Sequence, residues 1–184
     1  MYRELLIGCG HDKRKHVYPT NEIDWKNLTT VDSNEDCESD FCFDLNTEYC
    51  WDTRLGFDQY DEVHAYEVLE HLGSQGDVES FFFIFKKIYG VLKPNGYLCG
   101  TCPSRYSPWL WGDPGHTRVI IPESLTFLDQ LSYEQCGITA LSDYRYIWKG
   151  DFKVITSVDD RVKHTFILQA IKPARVAWKT KEQK

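Results

Sequence analysis

Tyr60-Asp61-Glu62-Val63-His64-Ala65-Tyr66-Glu67-Val68-Leu69-Glu70-His71-Leu72 is the stretch that decides the fold. Glu62 to Tyr66 reads as a strand, entered from the turn-like Asp58-Gln59-Tyr60-Asp61. Its exit is crowded with chemistry: Glu67, Glu70 and His71 follow at once. In open α/β sheets, ligands bind beyond the carboxyl ends of the strands, so a strand that empties into carboxylates and a histidine marks both a sheet and a site edge.

The flanking sequence supplies the rest of the sheet. Downstream, Val78, Phe81, Phe82, Phe85, Ile88, Tyr89 and Leu92 recur at three- and four-residue spacing, which predicts a helix from Asp77 to Val91. Lys93-Pro94-Asn95-Gly96 ends it with turn chemistry, and Tyr97–Cys102 reads as the next strand. Pro122–Gln135 reads as a second helix, with proline in its first turn and Gly137 just past its end. Two late strands are expected near Ile138–Trp148 and His164–Ile171, antiparallel because no helix separates them. Upstream, Leu5–Ile7 and Leu28–Val31 are short strands, with a brief third around Phe41–Phe43. The expected fold is therefore α/β: a Rossmann-like, mostly parallel sheet with an antiparallel C-terminal hairpin.

Each strand end offers a candidate. After the first come Gly8-Cys9-Gly10, where glycine permits positive φ and close approach of a ligand to the main chain. After the second comes Asp32, placed to grip vicinal ribose hydroxyls, although a single Asp there is more often a turn residue. After the third come Asp44 and Leu45, a carboxylate beside an apolar side chain, again open to a turn reading.

Taken together, these residues resemble the class I S-adenosylmethionine-dependent methyltransferases, in particular their small methyltransferase type 11-like branch. The Tyr60–Leu72 segment resembles that family's fourth-strand signature. Val91-Leu92-Lys93-Pro94-Asn95-Gly96-Tyr97-Leu98 is similar to its turn before strand five, with Asn95 where glycine is commoner, and Leu6-Ile7-Gly8-Cys9-Gly10 looks like its first motif. The resemblance spans residues 4–130 in the family's order. It implies S-adenosylmethionine as cofactor, with Gly8, Cys9 and Gly10 against its methionine end and Asp32 on its ribose. It further implies Asp44 and Leu45 at the adenine, Glu67 and Val68 beside the methionine and sulfur, and His71 in the pocket wall unless Glu70-His71 merely caps a helix.

One departure stands out. The family's first loop leads into a helix whose N-terminus faces the cofactor. Here residues 11–27 hold Pro19, no apolar stripe and the run Lys13-Arg14-Lys15. The first crossover helix is expected to be shortened or absent. Lys13 can serve a cofactor carboxylate, or the basic run can simply be solvated.

Methyl transfer needs alignment and sometimes a base. The loop after strand five, Trp109-Leu110-Trp111-Gly112-Asp113-Pro114-Gly115-His116-Thr117-Arg118, supplies His116 as candidate base with Asp113 beside it; the alternative is that both staple the loop. The function expected is methyl transfer to a small-molecule acceptor at oxygen or nitrogen. The competing reading is a non-catalytic cofactor-binding or protein-interaction domain on a degenerate version of the fold. A nicotinamide oxidoreductase is disfavoured, because Lys13 occupies the third glycine position of Gly-x-Gly-x-x-Gly.

Composition bounds the partners. A formal charge of −7 disfavours nucleic acid, whose phosphates need a basic face. No apolar run approaches the ~20 residues of a membrane span, and a cytoplasmic protein is expected. Seven cysteines, an odd count, argue against a disulfide framework, and Cys99-Gly100-Thr101-Cys102 sits inside a strand that points its two thiols to opposite faces. No second such pair and no histidine pair at metal spacing accompanies it, so no metal is expected. Residues 1–172 form one domain in this reading, and 173–184 a basic, flexible tail.

Overall fold

The structure, a computed structural model, describes residues 1–175. Seven strands form one sheet: β1 (Glu4–Ile7), β2 (Leu28–Asp32), β3 (Phe41–Cys42), β4 (Tyr60–Tyr66), β5 (Leu92–Pro103), β6 (Phe152–Asp159) and β7 (Lys163–Ala170). Their spatial order is β3-β2-β1-β4-β5-β7-β6, parallel from β3 to β5, with β7 antiparallel to both β5 and β6. This is the expected α/β architecture with its C-terminal hairpin. All parallel strands present their C-terminal ends at one edge, and Gly8, Asp32, Asp44, Glu67 and Ser104 follow there.

The two faces of the sheet are built differently. One carries the main core: Leu5 and Ile7 of β1, Val63 and Ala65 of β4, and Phe166 and Leu168 of β7 join Phe82, Phe85 and Ile88 of α2 (Val78–Val91), which follows the one-turn α1 (Glu48–Cys50). Helix α2 starts where Asp77 accepts a hydrogen bond from the Ser80 amide, an ordinary N-cap. The other face has no crossover helix. Residues 8–27 form neither helix nor strand, and beneath them lies only a small cluster of Leu6, Cys9 and Cys37 with Trp25, Leu28 and Tyr66.

What fixes that irregular segment is polar. Glu4 and Glu62 are register partners on β1 and β4, so both carboxylates point to the same dry face. Lys15 reaches between them, 2.5 Å from Glu4 and 2.9 Å from Glu62, with all three side chains buried. His64 Nε2 donates to Glu62 at 2.8 Å, and Tyr66 Oη, 2.6 Å from His64 Nδ1, accepts the amides of His16 and Val17. Trp25 Nε1 donates to the Lys13 carbonyl at 2.6 Å. Burial opposes the Lys15 ammonium, but the two carboxylates hold its pKa above the usual lysine value. Burial also opposes ionised Glu62, yet bonds from His64, Tyr2 and Lys15 bring it down to about 2, whereas burial pushes Glu4 upward.

Several sequence expectations are corrected. Lys15 is not part of a solvated basic run; Arg14 beside it is exposed and pairs with Asp12. The helix expected over 122–135 is broken into α4 (Pro122–Leu125) and two 3-10 turns, Thr126–Leu128 and Gln130–Gln135. Asp129 breaks it: its backbone is extended, and its side chain caps the Leu131 amide and pairs with Arg175. The strand expected near 138–148 is a set of turns that buries Trp148 between Phe82 and Phe152, and the outer hairpin strand is instead Phe152–Asp159. The turn at Lys93–Gly96 survives as an irregularity inside β5, where pairing skips from Tyr60↔Leu92 to Glu62↔Tyr97 and Asn95 takes φ +65°. Of the expected tail, residues 176–184 lie outside the described residues; Arg175 is bound to Asp151 at 2.7 Å. All seven cysteines are free, and burial raises the thiols of Cys99 and Cys102 well above the usual value, against a redox pair.

Removing the ammonium should leave two buried carboxylates without a cation. Lys15→Met is expected to lose about 3–5 kcal/mol of unfolding free energy at pH 7, whereas Lys13→Ala should change it by no more than about 0.5 kcal/mol. Carboxyls freed from Lys15 would titrate higher in the folded than in the unfolded chain. The Lys15→Met deficit should therefore shrink as pH falls from 7 to 5, as read by denaturant titration. An unchanged or growing deficit on acidification would contradict this account.

Candidate active site at the strand ends

The strand-end edge begins with Gly8 and Gly10, both in the left-handed region at φ +59° and +52°. Any side chain on Gly8 would collide with Val68, so β1 and the exit of β4 meet backbone against side chain. Gly10 faces open space where a Cβ would lie. The Gly10 amide donates to Asp32 Oδ2 at 2.8 Å, and the Asn34 amide to Asp32 Oδ1 at 2.9 Å. The β1 loop and the β2 end are thereby joined around one carboxylate. Cys9 is buried between them, its amide on the Val31 carbonyl, and burial raises its thiol to about 11. Its side chain packs with Leu6 and Cys37.

Asp44 and Leu45 follow β3 at the same edge, tied to β2 through the Phe43 amide on the Asp32 carbonyl. Asp44 is exposed and accepts from the Asn46 amide; Leu45 is buried in the main core, and its carbonyl receives Trp51 Nε1. Glu67 also holds a positive φ, +48°, with its amide on the Thr101 carbonyl and its carboxylate 3.8 Å from Lys163. Glycine would relieve a conformation of this kind, and a glutamate held there is a strained position of the sort found at ligand sites. Lys13 turns away from the glycine loop to the Glu38 carbonyl.

Farther along the edge, the loop after β5 docks on the segment after β4. The Glu70 carbonyl accepts the amides of Thr117 and Arg118, and the buried Arg118 donates to the carbonyls of Leu72 and Ser74. This brings His116 against His71, with ring centroids 4.7 Å apart, and places Glu70 between the two segments. Asp113 caps the Gly115 amide at 2.7 Å, and its other oxygen lies 3.8 Å from His116 Nε2. Trp109 and Trp111, on the short α3 (Trp109–Gly112), are exposed. A separate cavity of about 200 Å³ opens at the N-terminus of α2, lined by Phe81, Phe82, Phe127 and Tyr144 with Arg118 at its wall. It is not the glycine-loop site.

The burial of Glu70 is what the sequence did not reveal. The residue is fully buried, burial pushes its carboxyl up to about 7, and neither oxygen makes a hydrogen bond of ordinary geometry among the described residues. The available signal was its position: a second glutamate three residues after Glu67, following an apolar strand.

No protein-family model matches the sequence, and no curated protein matches it. Solved structures do match in fold. A SAM dependent methyltransferase from Archaeoglobus fulgidus is similar over 91% of this chain and 86% of its own, with TM-score 0.53 and 18% identity. The N-methyltransferase NodS from Bradyrhizobium japonicum WM9 matches over 93% and 86%, with TM-score 0.54 and 13% identity. An S-adenosylmethionine dependent methyltransferase from Mesorhizobium loti matches over 91% and 90%, with TM-score 0.50 and 12% identity. The chain thus has the Rossmann-like fold of class I methyltransferases.

The contact between Gly8 and Val68 can be tested directly. Gly8→Ala should cost roughly 1–3 kcal/mol through strain and overlap. Adding Val68→Ala should recover the overlap but leave the ~1–2 kcal/mol cost of a left-handed alanine. Thermal unfolding of the two variants measures the difference; equal losses would show that Val68 does not press on the loop.

Proposed function

We propose that the chain transfers a methyl group from S-adenosylmethionine to a small-molecule acceptor at oxygen or nitrogen. The observation that carries this reading is the joining of Gly10 to Asp32 at the ends of two adjacent parallel strands, with open space at Gly10. A ribose needs a carboxylate that can accept from vicinal hydroxyls, and the methionine end needs main chain without side chains in its way. Both needs are met within one hydrogen bond of each other. The similarity of fold to the Archaeoglobus fulgidus and Mesorhizobium loti proteins supports the same assignment.

In this reading Gly8, Cys9 and Gly10 border the methionine end and Asp32 holds the ribose. Asp44 lies at the adenine edge, with Leu45 forming the floor from within the core. Glu67 and Val68 border the sulfur. The bound cofactor supplies an electrophilic methyl on a sulfonium; the protein aligns the acceptor and takes up its proton. His71 lies in the cofactor pocket wall, and Asp113 and His116 face the acceptor. The Nδ1 of His116 points at the Leu110 carbonyl at 3.3 Å, so that nitrogen carries the proton and Nε2, 3.8 Å from Asp113, is the basic atom. Net charge −7 favours an uncharged or cationic acceptor over nucleic acid. No helix among the described residues is long and apolar enough to cross a membrane.

Calorimetric titration with S-adenosylmethionine or S-adenosylhomocysteine should give one site per chain. Asp32→Ala should weaken it about ten- to a hundredfold, the ~1.5–3 kcal/mol of a charge-assisted bond, without unfolding the protein. Absence of heat and of any thermal shift at millimolar cofactor would overturn the assignment. Unchanged affinity in Asp32→Ala would move the ribose elsewhere.

A further inference from the structure

We propose that Glu70, His71 and His116 form a binding site for a divalent transition-metal ion at the junction of the β4 exit and the loop after β5. One ligand atom from each of the three lies within 4.8 Å of the other two. The Glu70 carboxyl is fully buried, and neither oxygen makes a hydrogen bond of ordinary geometry among the described residues; the buried Cys102 thiol beside it is a weak donor at best. Burying an unpaired carboxylate is costly, so a group placed in this way calls for a cation.

The two histidines are prepared in the same sense. His71 Nδ1 lies 3.0 Å from the Gly115 carbonyl, and His116 Nδ1 lies 3.3 Å from the Leu110 carbonyl. A carbonyl only accepts, so both Nδ1 atoms carry the proton and each Nε2 presents a lone pair. Metal-bound histidines are typically oriented by a backbone carbonyl on the other nitrogen in this way. One carboxylate and two imidazoles therefore converge at the junction. A proton on His116 would not satisfy the group, because His116 Nε2 is 4.0 Å from Glu70 and 3.8 Å from Asp113, beyond hydrogen-bond reach.

The frame around the cluster is held by backbone. The Glu70 carbonyl binds the Thr117 amide at 2.9 Å and the Arg118 amide at 3.1 Å, locking one ligand-bearing segment to the other. Two imidazoles and one carboxylate suit zinc, iron, cobalt or nickel and disfavour magnesium and calcium, which take oxygen. Drawing the three atoms to bonds of ~2.1 Å requires side-chain shifts of about 1 Å. Asp113, on the rim, offers a fourth oxygen. His71 is exposed, so the side away from Glu70 opens to solvent and can admit a water or an oxygen of a second ligand. No residue spacing in the sequence announces the site, since Glu70-His71 and His116 are brought together only by loop docking.

The test uses the full chain stripped with chelator, with cobalt(II) and zinc(II) as probes and no methyl donor present, so that its outcome is independent of the methyltransferase reading. Cobalt should bind one equivalent with visible ligand-field bands, and zinc should compete for the same equivalent in equilibrium dialysis. Glu70→Gln, His71→Gln and His116→Gln should each weaken binding at least ~tenfold, the lower end of what even the outer partners of a metal site contribute. His16→Gln, an exposed histidine elsewhere, should leave binding unchanged. His71→Gln alters an exposed side chain, so the test stands even if Glu70→Gln fails to fold. No binding at millimolar metal, or binding that persists in His71→Gln and His116→Gln, would overturn the proposal.

Discussion

The rest of the structure depends on one buried ammonium. Glu4 and Glu62 sit side by side on the two central strands, facing the side of the sheet that has no crossover helix. Two carboxylates there cannot both be charged without a cation between them. Lys15 supplies it, and doing so commits the chain between β1 and β2 to one path. That path lays Trp25 over His64 with ring centroids 4.8 Å apart and hangs the amides of His16 and Val17 on Tyr66. A helix would have covered this face with an apolar stripe; a polar strand face needed a polar plug instead.

The same choice shapes the glycine-loop end of the site. Without a helix N-terminus to present amides to a ligand, the loop is held by its own geometry: two glycines at positive φ, one pressed on Val68 and the other bound to Asp32. The end formed by the loop after β5 is held differently. There the loop after β5 is tied down by main-chain bonds to Glu70 and by Arg118, buried against Phe81 and the carbonyls of Leu72 and Ser74. Rigid anchoring of a loop beside a strand end allows side chains distant in sequence, such as His71 and His116, to meet at a fixed distance.

Legibility followed locality. Helix α2 was visible because Val78, Phe81, Phe82, Phe85, Ile88 and Tyr89 repeat at helical spacing and its cap is the preceding residue. The strand-end candidates were visible because each directly follows its strand. The misplaced strand near 138–148 and the overlong helix over 122–135 failed for one reason. Trp148 is buried by Phe82 and Phe152, and Asp129 breaks the helix to meet Arg175, so distant partners overrode local pattern. Glu62 and His64 did carry a signal: charged and ionisable residues at alternate positions of a central strand mark a polar face.

By itself, the sequence determined the strand order along the chain, the parallel α/β class with its antiparallel end, the missing first helix, and which residues stand at the strand ends. Those properties arise from periodicity and turn chemistry over a few residues. Only the tertiary structure decided that Lys15 is buried, that Leu45 belongs to the core, and that Glu70 lies unpaired between His71 and His116. Burial and pairing of a charged side chain depend on what the sheet and loops bring against it from tens of residues away. A sequence lists such groups, but only the packed chain decides which of them water still reaches.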